Sequence, residues 1–251
     1  MKDLFSGQAE LYARYRPVYP RALFDYILGF VTRTDAALDC ATGNGQVARS
    51  LSPSFRSVHA IDISENQLSH AVKAGNIHYQ ISPAEHTPFS DDTFNLVTVA
   101  QAYHWFDTAQ FCREAKRIAQ PDAVVAVWGY DLATVEPRID PLIHHWNYDI
   151  LSKYWEAERT HVTTHYEHLA FDFERLPSRD FQIIADWTLD EFIGHLRTWS
   201  ALQTMIHAVG DGPFHEFLDE LARAWTGSPR KRCTFPLFLK LGRVRKQRGD
   251  H

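Results

Sequence analysis

An acidic residue followed by a run of small residues is the first place in this sequence where chemistry can be expected. Residues 37–40 read as a buried strand that contains Asp39, and the loop after it carries Ala41, Gly43 and Gly45 before a helix over residues 47–51. Small side chains let a ligand approach the backbone closely, and the N–H groups at a helix start are free to donate to it. The segment therefore predicts a site for a nucleotide-type cofactor.

The acid and the glycine spacing indicate which cofactor this loop binds. Dinucleotide-binding folds place a pyrophosphate over a G-x-G-x-x-G loop. Here Gly43 and Gly45 are followed at the third place by Ala48, which does not exclude a dinucleotide. A carboxylate at Asp39 would repel a pyrophosphate at short range, and it would suit a ligand that carries an ammonium and a sulfonium. The loop therefore favours the second kind of ligand.

This loop resembles the first motif of a known enzyme family. Asp39-x-Ala41-x-Gly43-x-Gly45 is similar to motif I of the class I S-adenosylmethionine-dependent methyltransferases, with Ala41 in place of the usual first glycine. A second strand, residues 57–62, ends in Asp62, which lies 17 residues after Gly45. An acid about 20 residues beyond the loop can accept from two ribose hydroxyls. The alternative for Asp62 is a helix N-cap or a solvated acid at a strand end.

Three further segments follow the order of the same family. Residues 80–89 are similar to the adenine-contacting signature, with Glu85 at its acidic position, and residues 92–100 read as a buried fourth strand. Residues 117–128 resemble the helix, turn and fifth strand, although Pro-Asp-Ala replaces the usual Pro-Gly-Gly turn. The segment 12–20 and the sequence His104-Trp105-Phe106 are typical of a small-molecule subgroup, methyltransferase type 11 and the trans-aconitate methyltransferase-like proteins.

The resemblance implies an α/β fold. Strands that alternate with helices up to residue 130 predict a right-handed parallel sheet, and the family implies a Rossmann-like, seven-stranded sheet of order 3-2-1-4-5-7-6 with helices on both faces. We expect a cofactor-covering segment (1–30), a cofactor-binding core (31–130), a helical lid inserted after strand five (131–175) and a completing segment (176–251). In the last segment we predict strands over 181–187 and 233–244, with helices over 189–205 and 214–225.

Composition limits the classes of partner. The chain has 251 residues and a net charge of −5 with no large basic block, so we expect no nucleic-acid partner. Three widely spaced cysteines suggest a reducing compartment. We find no signal peptide and no apolar run of membrane-spanning length. A cytoplasmic protein, monomeric or homodimeric, is expected.

The family motifs assign a cofactor role to thirteen positions. S-adenosyl-L-methionine is the implied cofactor, and the cofactor-binding candidates are Tyr12, Arg16, Asp39, Cys40, Ala41, Gly43, Asp62, Ile63, Ala84, Glu85, Gln101, Ala102 and Trp105. Arg16 could pair with the methionine carboxylate, or it could be a surface residue that holds the proline-rich turn.

His104 is the candidate catalytic residue. It lies just past strand four, and an imidazole can act as a base near neutral pH; the alternative is a packing or cofactor-contacting histidine beside Trp105. Candidates for an acceptor pocket are Arg159, Tyr166, Arg197 and Trp199. His161, His165 and His168 recur at helical spacing, but no carboxylate or cysteine completes a ligand set, so we expect no metal.

The function that follows is methyl transfer to a small-molecule acceptor, with oxygen as the expected acceptor atom. A non-catalytic module that binds or senses S-adenosylmethionine is the main alternative. A methyltransferase acting on tRNA or protein is less favoured. A nicotinamide-dependent oxidoreductase is disfavoured by Asp39 and by the lack of a convincing catalytic Tyr-x-x-x-Lys motif.

Overall fold

A twisted α/β sheet organises the chain. The computed structural model describes residues 14–246; Tyr12 lies outside the described residues. The strands are β1 (Ala36–Cys40), β2 (Ser57–Asp62), β3 (Ile77–Ile81), β4 (Phe94–Ala100), β5 (Ala119–Tyr130), β6 (Glu174–Arg175), β7 (Phe181–Thr188) and β8 (Arg230–Arg243). The α-helices are α1 (Arg21–Leu28), α2 (Gln46–Leu51), α3 (Glu65–Ser69), α4 (Thr108–Ile118), α5 (Asp140–His145), α6 (Thr160–Thr163), α7 (Leu189–Leu196), α8 (Ser200–Val209) and α9 (Gly212–Ala224).

The strand order confirms the predicted fold class. The order is β3-β2-β1-β4-β5-β8-β6, and β7 also pairs with β8. Strands β1 to β5 are parallel to one another, and β8 is antiparallel to β5 and β7. The two predicted late strands are β7 and β8, so their expected positions hold. The count of seven is wrong by one, because the two-residue strand β6 pairs with the end of β8 at Gly242 and Arg243.

Burial on both faces explains the parallel part of the sheet. All residues of β4 except the last are buried, and so are the last four of β1, as expected when helices cover both sides. Two apolar clusters form, one on each face. The loops after β1, β2 and β4 meet at one edge, and the chain changes direction between β1 and β4, where ligands bind in open α/β sheets.

Residues 121–123, which depart from the family's Pro-Gly-Gly turn, lie in the first part of β5. Asp122 adopts a positive φ of 66°, a conformation that glycine favours and that aspartate tolerates better than most residues. Its N–H donates to the Val244 carbonyl at 3.0 Å. The left-handed backbone at Asp122 is therefore accommodated within β5, whose pairing with β4 shifts register between Phe94 and Leu96.

One predicted helix is in fact two. The periodicity predicted a single helix over residues 189–205, but α7 ends before Arg197 and α8 begins after Trp199. The hydroxyl of Thr198 donates to the His195 carbonyl at 2.7 Å, and Trp199 is extended with ψ at 127°. The hydrogen bond from the Thr198 side chain to the backbone thus competes with helical hydrogen bonding and accompanies the break between α7 and α8.

The segment after β5 is built from short helical pieces. Besides α5 and α6 it contains a π-helical turn (Trp146–Ile150) and two 3₁₀ turns (Ser152–Tyr154 and Ala157–Arg159). Trp146 stacks on Phe217 of α9 with 4.5 Å between ring centroids, which joins this segment to the last helix. Within residues 14–246 none of the helices has the length and apolar character required to span a membrane.

Candidate active site

Positive backbone angles shape the loop after β1. Ala41, Gly43 and Gly45 have φ values of 52°, 56° and 82°. Gly45 directly precedes α2, and a β-carbon there would lie 2.2 Å from the Tyr79 hydroxyl oxygen. Gly45 is therefore required both by its backbone angle and by the close approach of β3, whereas Ala41 accepts a disfavoured conformation.

Asp39 is a buried acid beneath this loop. Its carboxylate accepts from the Thr42 hydroxyl at 2.5 Å and from the Thr98 hydroxyl at 2.9 Å. Burial raises the pKa of Asp39 to about 7, although the two hydroxyl groups counter this shift. A cationic ligand beside it would favour the ionised form.

Asp62 ties the loop to the end of β2. One carboxylate oxygen accepts from the Gly43 N–H at 2.8 Å, and the other accepts from the Ser64 N–H at 2.9 Å. Each carboxylate oxygen can accept more than one hydrogen bond, as binding of two ribose hydroxyls would require. Ser64 in turn caps α3, since its hydroxyl accepts from the Gln67 N–H.

Gln101 joins the ends of β4 and β5. Its φ is 53°, and its side-chain amide accepts from the Tyr130 N–H at 2.7 Å and donates to the Tyr130 carbonyl at 3.2 Å. Arg16 donates to the Tyr130 hydroxyl at 2.5 Å. The amino-terminal segment is thereby bound to the same edge of the sheet.

These groups enclose a cleft of about 940 Å³, counted with its open mouth. Of the predicted cofactor-binding residues, those that line it are Arg16, Asp39, Ala41, Gly43, Asp62, Ile63, Gln101, Ala102 and Trp105. The structure therefore brings together residues that are separated by up to 89 positions in the chain.

Three other predicted residues do not line this cleft. The Cys40 side chain points to the opposite face of β1 from Asp39 and packs with Leu38, because side chains alternate along a strand. Ala84 is buried in the same apolar cluster. The Glu85 carboxylate accepts from the Asp107 N–H at 3.2 Å, beside the start of α4.

Several lining residues were missed by the sequence reasoning. The missed residues are Pro17, Tyr19, Thr42, Asn44, Gln46, Val47, Ser64, Gln67, Ala100 and Tyr130. Tyr130 could have been found, because it ends β5 at the same sheet edge. Gln67 could have been found as well, because it lies in the first turn of α3, the helix that follows the strand ending in Asp62.

A second cavity of about 570 Å³ adjoins the cleft. The two share Arg16, Gln101, Trp105 and Tyr130. Of the predicted acceptor-pocket residues, Arg159 and Trp199 line the second cavity, while Tyr166 is buried behind it and Arg197 is not among its lining residues.

His104 lines this second cavity and not the cleft. Its Nδ1 lies 3.0 Å from the Tyr166 hydroxyl, and the two rings stack. Burial and the nearby charges of Arg159 and His161 lower the pKa of His104 to about 3. At neutral pH the imidazole is therefore uncharged.

One of the three histidines at helical spacing, His165, lies against an acid and an aromatic ring. The His165 Nε2 lies 2.8 Å from an Asp131 carboxylate oxygen, and its ring stacks on Phe238. In the part of the chain that the structure describes, no group of three or more histidine, cysteine or acidic side chains could hold a metal ion.

The buried histidines predict a pH dependence of stability. Burial lowers the pKa of both His104 and His195 to about 3, so the unfolded chain binds more protons between pH 3 and 6.5, and stability is lost as the pH falls through this window. Asp39 acts in the opposite sense, because its raised pKa adds stability as the pH falls below about 7. We expect a net loss of about 1–2 kcal/mol between pH 6.5 and 5, measured by urea unfolding.

A single substitution separates these contributions. His195→Gln should make the loss over that interval smaller, since one proton-binding difference is removed. A stability that rises from pH 6.5 to 5 in the unsubstituted protein would contradict the assignment of two neutral buried histidines.

Comparisons with known proteins agree with this architecture. The methyltransferase domain model matches residues 38–127. A proposed type II methyltransferase from Anaeromyxobacter dehalogenans has a solved structure that is 35% identical, with a TM-score of 0.85, and the match covers 93% of this chain and all of that one.

Two further relatives extend the comparison. A proposed methyltransferase from Dictyostelium discoideum is 27% identical over 96% of this chain and 95% of the relative. A ubiquinone/menaquinone biosynthesis C-methyltransferase from Geotalea daltonii is 33% identical over 101 residues, which cover 36% of this chain and 43% of that protein. With its sheet order and the cleft at the β1–β4 switch point, the chain belongs to the class I S-adenosylmethionine-dependent methyltransferase family.

Proposed function

We propose that this protein transfers a methyl group from S-adenosylmethionine to an oxygen atom of a small-molecule acceptor. The observation that carries the proposal is the pair of adjoining cavities. One lies over the family's cofactor loop, the other lies under the segment after β5, and they meet at Arg16, Gln101, Trp105 and Tyr130. A donor bound in the first cavity and an acceptor bound in the second would meet where the two cavities adjoin.

The residues of the cleft fit S-adenosylmethionine. Ala41, Gly43 and Gly45 allow close approach to the loop backbone, and Asp62 is held in place with capacity to accept from two ribose hydroxyls. The buried acid Asp39 lines the same cleft, and its carboxylate would favour a cationic ligand there. When bound, this cofactor supplies an activated methyl group on a sulfonium.

The protein's own contribution is alignment and exclusion of water. In-line transfer requires the acceptor atom to be held at contact distance along one axis. The Gln101 amide fixes the ends of β4 and β5 through two hydrogen bonds, and Arg16 fixes the amino-terminal segment through Tyr130. We propose residues 131–175 as a lid that keeps the acceptor pocket dry.

Calorimetric titration tests this function. Purified protein should bind both S-adenosylmethionine and S-adenosylhomocysteine with micromolar affinity, and an acceptor screen with labelled donor should then give a methylated product. Absence of binding of either compound would overturn the proposal. Binding without transfer to any acceptor would favour a sensing module. A product methylated on carbon, as the name of the Geotalea relative suggests for that protein, would correct the acceptor atom.

We propose His104 as the catalytic residue that contacts the acceptor and helps to hold it in line with the donor, as a neutral imidazole. His104→Ala should lower kcat at least about tenfold, because the acceptor loses a contact that aligns it. The affinity for S-adenosylhomocysteine should change less than twofold, because His104 does not line the cofactor cleft. Steady-state kinetics with the acceptor found in the screen, together with calorimetry, measure both quantities. His168→Ala, an exposed histidine of the same segment, is the control. A change confined to cofactor affinity would remove His104 from the acceptor site.

A further inference from the structure

The second cavity contains a cation with an unused hydrogen-bonding group. The Arg159 Nη1 atom is shielded from solvent and has no hydrogen-bond partner. Among residues 14–246, the Arg159 guanidinium makes one ring contact, over Trp155 at 5.3 Å from the ring centroid, and no ion pair. A guanidinium N–H that is withdrawn from water without an acceptor is costly.

The acids near this cavity are engaged elsewhere. Asp131 lines the same cavity, but its carboxylate pairs with His165 at 2.8 Å. Glu156 lies three residues before Arg159 and accepts from the Ser200 hydroxyl at 3.1 Å. Among residues 14–246, no carboxylate therefore pairs with Arg159.

The rest of the cavity wall is apolar or neutral. Seven of the fourteen lining residues are aromatic or aliphatic, namely Trp105, Tyr130, Leu132, Ala133, Trp155, Trp199 and Phe235. His104 and His195 also line it, and burial lowers the pKa of each to about 3, so both are uncharged. Two arginines, Arg16 and Arg159, line the cavity together with one acid, Asp131, which is already paired with His165. This excess of positive charge disfavours a cationic acceptor such as an ammonium compound.

Resting on the proposed function, we propose that the methyl acceptor is a small carboxylic acid with an apolar or aromatic body, and that Arg159 binds its carboxylate. A planar guanidinium matches a carboxylate through two parallel hydrogen bonds. One available guanidinium suits a monoanion better than a phosphate, which needs more donors. The aromatic wall would cover the body of the acceptor and exclude water from it.

The unpaired cation makes a prediction that needs no ligand. Arg159→Met keeps the packing on Trp155 and removes the buried charge, so the melting temperature of the ligand-free protein should rise by about 2–4 °C. Arg138→Met is the matched control from the same segment, because the Arg138 guanidinium is bonded to Glu136 and Thr226; its melting temperature should fall. A fall of the same size for Arg159→Met would overturn the proposal.

Binding of probe acids completes the test. Protein saturated with S-adenosylhomocysteine is titrated with benzoate, phenylacetate and trans-cinnamate and with their primary amides. At least one acid should bind about 10- to 100-fold more tightly than its amide, and Arg159→Met should abolish this preference. Equal binding of acids and amides, no binding of any acid, or an unchanged preference in Arg159→Met would overturn the carboxylate site. A failure to bind S-adenosylhomocysteine would instead overturn the proposed function.

Discussion

Asp62→Ala should weaken binding of S-adenosylhomocysteine by about 1–3 kcal/mol, because charge-assisted hydrogen bonds to the ribose would be lost. The same change removes the acceptors of the Gly43 and Ser64 N–H groups, so the free energy of unfolding should also fall by about 2–4 kcal/mol. Calorimetry gives the affinity, and urea unfolding at the same pH gives the stability.

Two other variants show whether the effects of Asp62→Ala arise from the lost carboxylate or from the loss of any acid in the chain. Asp62→Asn keeps one acceptor oxygen and loses the charge. Its affinity for S-adenosylhomocysteine should therefore lie between those of the unsubstituted protein and Asp62→Ala. Asp25→Ala is the control, because Asp25 is an exposed acid on the surface of α1, where it pairs with Arg21. This change should alter neither the binding free energy nor the free energy of unfolding by more than about 0.5 kcal/mol. A folded Asp62→Ala protein with unchanged affinity would remove Asp62 from the cofactor site.

Local sequence predicted those site residues that lie at the ends of strands. Asp39 and Asp62 were predicted because each acid lies at or next to the carboxyl end of a buried strand, and parallel strands bring their carboxyl ends to one edge of a sheet. This rule depends only on chain direction and burial, both of which are visible in the sequence. The fold class followed from the same alternation of strands and helices.

Side-chain direction could not be predicted in the same way. Cys40 is adjacent to Asp39 and was assigned to the same site, but the alternation of the strand turns it into the apolar cluster. Glu85 was assigned by its position in a motif, whereas its carboxylate accepts from the Asp107 backbone. Such partners are distant in sequence and leave no local pattern.

The second cavity was the least predictable part of the candidate site. Arg159 and Trp199 were named as candidates, but their meeting with His104 depends on how the short helices after β5 fold back over the sheet. The break between α7 and α8 has the same origin, since apolar periodicity continues through Arg197 while Thr198 bonds to the backbone. Tertiary contacts decide both outcomes.

The largest loss of stability is expected for Gly45→Ala. Its φ of 82° is costly for any residue with a β-carbon, and the new methyl group would lie 2.2 Å from the Tyr79 hydroxyl oxygen and 3.1 Å from the ring carbon that carries it. Tyr79 cannot move freely, because its hydroxyl donates to the Val72 carbonyl at 2.6 Å. Backbone strain and overpacking together should lower the free energy of unfolding by about 2–5 kcal/mol, measured by urea unfolding.

A second glycine in this chain separates the two causes. Gly210 has nearly the same φ, 84°, but nothing lies within 4 Å of a β-carbon built there, so Gly210→Ala should lose only the backbone part, about 1–2 kcal/mol. The difference between the two variants measures the close approach of Tyr79 to the loop. Adding Tyr79→Leu to Gly45→Ala should recover part of that difference, because the hydroxyl and the ring are removed. Equal losses at Gly45 and Gly210 would mean that the loop after β1 can move away from β3, and the fit of a cofactor to a rigid loop would then lose its basis.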